Sequence, residues 1–212
     1  MLVVLFPTDA GHVMVSFHTY STKLLLLSKP VVGFDLSHEC SWDWVPFSHL
    51  DLTDFKLERK NHIERLKNGW WFCHKTFNSK AKVAYGSVYN IPKELGPVDI
   101  STFGSILLHL RDPFAALQNA SALTEETVIV TDVTPDQSVA DLPAMLFCPD
   151  FRRADPYDSA TWWILSPQVI IEFLGVLGFE RTEVSYHTQR YQARDVGLYT
   201  VVGHRTRKRP PL

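Results

Sequence analysis

Val98-Asp99-Ile100-Ser101-Thr102-Phe103-Gly104-Ser105-Ile106-Leu107-Leu108-His109-Leu110-Arg111-Asp112-Pro113 is the most informative stretch of the chain. A short strand, 98–103, closes on Gly104. An apolar turn follows, ending in His109-Leu110-Arg111-Asp112-Pro113, and 114–122 has helical composition. Such a junction belongs at the carboxyl edge of a parallel sheet, where open α/β folds bind their ligands. Pro113 suits a first helical turn, where its missing N–H has no bond to lose.

Working outward, the runs 2–6 and 31–34 read as short buried strands, and 82–85 as another. Between the first two, 11–27 is apolar without a clean period, and a helix there has weak support because Val13, Val15, Thr19 and Thr22 are poor helix formers. Residues 58–68 are charged, with Ile63 and Leu66 three apart, which predicts a surface helix. The prolines and glycine of 91–97 predict a loop. Thr127-Val128-Ile129-Val130-Thr131 is the clearest strand. Residues 132–161, rich in Pro and Asp, read as a long irregular loop, a length that suits a lid or binding loop. Ser166-Pro167 opens a helix that Gly178 stops. The stretches 182–186 and 197–202 predict a closing β-hairpin. Strand–helix units followed by a hairpin define an α/β fold: a Rossmann-like open sheet, mostly parallel, with a C-terminal antiparallel pair.

Composition narrows the class. With 212 residues, 45% hydrophobic and 21% charged, the chain suits one domain, 1–204, with a full core. A net charge of −2 gives no overall basic field for nucleic acid or a membrane surface. The basic run Arg205-Thr206-Arg207-Lys208-Arg209 starts a tail, 205–212, that reads as solvated and frayed. Cys40, Cys73 and Cys148 are odd in number and widely spaced, which argues against a disulfide framework and for a reducing, cytoplasmic setting. No apolar run approaches the roughly 20 residues of a membrane span.

In order and spacing these pieces resemble a class I S-adenosylmethionine-dependent methyltransferase over about residues 30 to 203. The likeness extends to the tRNA wobble-uridine carboxymethyltransferase branch and its small-molecule relatives. Val31-Val32-Gly33-Phe34-Asp35-Leu36 resembles that family's second strand, Tyr85-Gly86-Ser87-Val88-Tyr89-Asn90 the loop bordering the adenine, and 98–104 the fourth strand. His109-Leu110-Arg111-Asp112-Pro113 and Thr161-Trp162-Trp163 resemble motifs of that branch. The resemblance implies S-adenosylmethionine as cofactor, with the ribose held by Asp35 beside Leu36, and Ser87, Val88, Tyr89, Phe103 and Gly104 lining its site. His109 is then the candidate catalytic base, and Arg111, Trp162 and Trp163 the acceptor-side residues. The family's first glycine motif is degenerate here. In Leu5-Phe6-Pro7-Thr8-Asp9-Ala10-Gly11 only Asp9 and Gly11 are candidate cofactor contacts, so 1–30 is an atypical first unit.

Each residue also has a plainer reading. His109 suits a turn cap, Arg111 an ion pair with Asp112 or a surface acid, and the tryptophans core packing. Trp42 or Trp44 suits the wall of an adenine pocket or ordinary packing. Cys73-His74 lacks the paired spacing of a zinc site, so no metal is expected. Gly104-Ser105 lacks a nucleophile elbow. The dense charges at Asp150, Arg152, Arg153 and Asp155 suit solvation or a lid. The function implied is methyl transfer to a small molecule or an RNA base, the near-neutral charge favouring the small molecule over tRNA. The alternatives are a methyltransferase-like binding protein that has lost its cofactor, and another nucleotide-dependent α/β enzyme.

Overall fold

The computed structural model describes residues 2–6, 31–37, 39–152, 155–191 and 194–208. Its frame is a seven-stranded sheet of β1 (Leu2–Phe6), β2 (Val32–Leu36), β3 (Lys82–Gly86), β4 (Val98–Gly104), β5 (Thr124–Val133), β8 (Arg181–Tyr191) and β9 (Arg194–His204). The strands lie in the order β3-β2-β1-β4-β5-β9-β8. β2 pairs parallel with β3, and β4 with β5. β9 pairs antiparallel with both β5 and β8, the closing hairpin the sequence predicts. The sheet is therefore Rossmann-like, with β2 to β5 pointing one way.

β1 departs from that scheme. It lies between β2 and β4 and runs antiparallel to both, with Leu2 opposite Asp35, Val3 opposite Phe103 and Phe6 opposite Ile100. Its last residue is thus at the amino edge of the parallel strands, whereas a glycine loop for a cofactor has to leave a strand at the carboxyl edge. The reading of 2–6 as a strand holds, with a direction opposite to that of β2 to β5. The segment 11–27 and the candidates Asp9 and Gly11 lie outside the described residues.

The core follows from alternation. Along β5, Val128, Val130 and Asp132 turn to one buried face while Ile129 and Val133 do not. Phe103, Leu117, Val128, Val130, Ile170 and Leu174 are at most 1% exposed and pack together. Among the described residues three helices supply the other layers: α1 (Thr53–Thr76), α2 (Pro113–Ser121) and α4 (Pro167–Val176), with a single turn α3 (Gln137–Ala140) in the connection after β5. α2 starts at Pro113, capped by the Asp112 carboxylate, which accepts from the Ala115 N–H at 2.9 Å. α4 is capped by Ser166, whose Oγ accepts from Val169 N at 3.1 Å. It packs so close to β9 that a Cβ on Gly203 would meet Leu174 Cδ1 at 2.9 Å. Gly178, at φ +90°, closes the helix end, a conformation that favours glycine.

Three further expectations change. The surface helix extends well beyond 58–68 at both ends, and Trp70, Trp71, Phe72, Cys73 and His74 are helical residues. The stretch 132–161 is not wholly irregular: β6 (Met145–Phe147) pairs antiparallel with β7 (Trp163–Leu165) as a separate small sheet. The start of the basic tail is not frayed. Arg205 donates to Ser121 O and Thr124 O at 2.8 Å and lies over the Phe179 ring, and Arg207 pairs with Glu180.

Candidate functional site at the carboxyl edge

Because β2, β3, β4 and β5 share one direction, their last residues meet on one edge. Leu36 lies opposite Gly86, and Gly104 opposite Thr131. Asp35 is half-buried there, and its Oδ1 accepts from the Leu36 N–H at 2.8 Å. The Leu36 carbonyl accepts from Lys67 Nζ at 2.6 Å, and the same ammonium lies over the Tyr85 ring, which ties α1 to the ends of β2 and β3. Of the residues bordering this edge, Ser87 accepts from Tyr89 N at 3.3 Å. Val88 and Phe103 are 2% and 1% exposed, so their side chains belong to the core. Gly104 leads into Ser105, which sits at φ +48° with its N–H on Thr131 O at 2.7 Å.

The rim beside this edge is organised by a residue that the sequence reading did not single out. Asp43 accepts from the Tyr89 hydroxyl and from the Arg111 N–H (2.8 Å) through Oδ2, and its carbonyl accepts from Trp162 Nε1 at 2.5 Å. Burial raises the pKa of the Tyr89 phenol, and the Asp43 carboxylate adds to the effect. Trp162 is 8% exposed, with the Arg111 guanidinium 5.2 Å over its ring. Trp163 is half-buried and donates from Nε1 to Arg111 O at 3.2 Å. Arg111 therefore bonds to Asp43 and Trp163 through its backbone, and Asp112 is taken up as a helix cap. The signal for Asp43 was present in Trp42-Asp43-Trp44, an acid between two rings that stack at 4.9 Å.

His109 ends a 3-10 turn, Leu107–His109, and bonds through Nδ1 to Ala160 O at 2.5 Å. A carbonyl only accepts, so Nδ1 carries the proton of the neutral ring and Nε2 bears the lone pair. Desolvation lowers the ring's pKa from 6.5 and the Ala160 bond opposes that shift, while the residue as a whole is exposed at the rim. Next to it in the fold, Trp162 N donates to Leu108 O at 2.9 Å. The structure thus groups His109, Arg111, Trp162, Trp163 and Tyr89 on one rim, with Asp35 and Ser87 along the adjoining strand ends.

Asp132 is a second acid that sequence reading passed over. It is 3% exposed at the end of β5; Oδ1 accepts from Val133 N at 2.7 Å, while Oδ2 is buried without a hydrogen bond. Burial pushes its pKa up to about 7, against the lowering effect of the Val133 and Leu108 backbone bonds. Like Asp35, Asp132 is a carboxylate near the end of an apolar strand. Among the described residues no group of His, Cys, Asp and Glu is arranged to hold a metal ion, and no helix is long and apolar enough to cross a membrane.

No family model matches the chain, and no curated protein matches it in sequence. Among solved structures it is similar to the N-terminal domain of EvdMO1 with SAH bound, at 20% identity and a TM-score of 0.44, over 65% of this chain and 58% of that one. It is also similar to a SAM-dependent methyltransferase from Thermotoga maritima (14% identity, TM-score 0.43, 63% of this chain and 68% of that chain). A third is an O-methyltransferase family protein from Burkholderia thailandensis (12% identity, TM-score 0.40, 81% and 42%).

Proposed function

We propose that the chain binds S-adenosylmethionine at the carboxyl edge of the sheet and transfers its methyl group to a small molecule. One observation supports this reading above the others: a single sheet edge carries Asp35 at the end of β2 and, past the end of β4, a histidine whose tautomer is fixed by Ala160. The donor set fits the ribose and adenine end of the cofactor. The Asp35 carboxylate would accept from the ribose diol, and the loop 87–89 would border the base. The bound sulfonium supplies an electrophilic methyl. In that transfer His109 Nε2 would take the proton that the acceptor's hydroxyl gives up as it gains the methyl. Holding acceptor and methyl in line supplies much of the rate.

Calorimetry with S-adenosylmethionine tests the reading. We expect a saturable heat that S-adenosylhomocysteine competes away and NAD does not, weakened about tenfold in Asp35→Ala, the size of one lost charge-assisted hydrogen bond. His109→Asn should leave that affinity unchanged and lower turnover about a hundredfold.

The reversed β1 favours a second reading, a methyltransferase-like fold that binds without catalysing. The end of β1 points away from the edge where a glycine loop would cradle the cofactor's amino-acid end. The absence of any heat or thermal shift with S-adenosylmethionine selects it.

A further inference from the structure

We infer that the small β6–β7 sheet is the wall against which the methyl acceptor lies, and that the acceptor is a neutral, apolar aromatic molecule bearing a hydroxyl group. The inference rests on the methyl-transfer reading and adds the substrate class to it.

Three residues in a row on β6, Met145, Leu146 and Phe147, are 37%, 41% and 60% exposed, and Ile164 on the paired strand is 42% exposed. In the flanking segments Leu142 and Phe151 are 55% and 73% exposed. In this register Met145 and Phe147 share a face with Trp163, and Leu146 and Ile164 share the opposite one. A small sheet that exposes apolar side chains on both faces is not built for solvent alone, and exposed apolar surface marks a binding site. Its place supports a substrate in particular. Phe147 meets the Trp163 ring edge-on at 5.5 Å and the Trp162 ring at 6.3 Å. Trp162 is bonded through its backbone to Leu108, beside His109, and Ala160, two residues before it, holds the His109 ring. Phe147 thus touches the two tryptophans that flank the candidate base.

Charge decides the ligand's character. Neither 142–149 nor 159–168 contains an acidic or basic residue. Among the described residues the nearby cations are engaged: the Arg111 guanidinium lies on Trp162, and Arg152 lies over Phe151 while pairing with Asp150 at 3.9 Å. A phosphate backbone needs a basic track, and this wall supplies none. An aromatic ring gains from edge and face contacts with Phe147 and Trp163, and a hydroxyl on that ring supplies the oxygen and the proton that the transfer uses.

The test uses 2-naphthol as probe, its binding followed by its own fluorescence. S-adenosylmethionine binding is measured separately by calorimetry. Phe147 is largely exposed, so Phe147→Ser should fold. We expect saturable naphthol binding that Phe147→Ser weakens about tenfold, the scale of losing one buried aromatic contact, while Phe147→Leu retains most of it and cofactor heat is unchanged. Incubation with both should yield the naphthol methyl ether. Absent naphthol binding, affinity indifferent to Phe147→Ser, or displacement of naphthol by single-stranded RNA overturns the inference. Naphthol binding that depends on Phe147 without any cofactor heat upholds the apolar wall and overturns methyl transfer, so the two failures are distinguishable.

Discussion

Asp43 joins the two sides of the site. Its carboxylate holds Tyr89 from the strand-end side and Arg111 from the acceptor side, and its carbonyl holds Trp162. Asp43→Ala leaves a half-buried phenol without its acceptor, and we expect a loss of about 2 kcal/mol in urea unfolding. A cycle with Tyr89→Phe should show strong coupling, because the two side chains share one bond. Asp132 sets a pH dependence. Its folded pKa, about 7, lies above the 3.8 of an unperturbed carboxyl. The folded state therefore keeps a proton that the unfolded chain gives up. This contribution is fully present below about pH 4 and is lost as pH rises to 7, a span worth on the order of 4 kcal/mol. Asp132→Asn should flatten that decline, so thermal melts of the two proteins should diverge from pH 4 to pH 7. Parallel curves would place the ionisation elsewhere.

At the scale of elements, the ends do much of the holding. Arg205 fastens the end of β9 to the α2–β5 junction through the Ser121 and Thr124 carbonyls and stacks on Phe179, 4.1 Å from the ring centroid. Arg205→Ala should cost about 2 kcal/mol in chemical unfolding, and Arg205→Lys should recover only part, since an ammonium lacks the planar fork. Strands and caps with strong local signals were legible in the sequence. Thr127–Thr131 alternates about a buried face, Ser166-Pro167 caps and starts α4, and Gly178 ends it. What sequence could not supply depended on distant partners. β6 and β7 are three residues each and pair with one another across the intervening connection, too short for any periodicity to show. The role of Asp43 depends on partners 46 and 68 residues away. Arg205 reads as part of a charged tail because its carbonyl acceptors carry no sequence signature.

For the whole molecule, strand order carries a mechanical consequence. In the hydrogen-bonded order, β1 alone links β2 and β3 to β4, β5, β9 and β8, so among the described residues that one five-residue strand is the seam between the sheet's two parts. Asp35 belongs to one part, and the strand leading to His109 to the other. Within the sheet, the spacing between them is set by backbone ladders to β1, whose pairing with β4 closes a loop of about a hundred residues. Non-local pairings of that span form late and open early. Under partial denaturation the sheet should part along this line first. Amide exchange would then rise in β2 and β3 while β5 and β9 stay protected, and the site would lose its alignment before the fold loses its core.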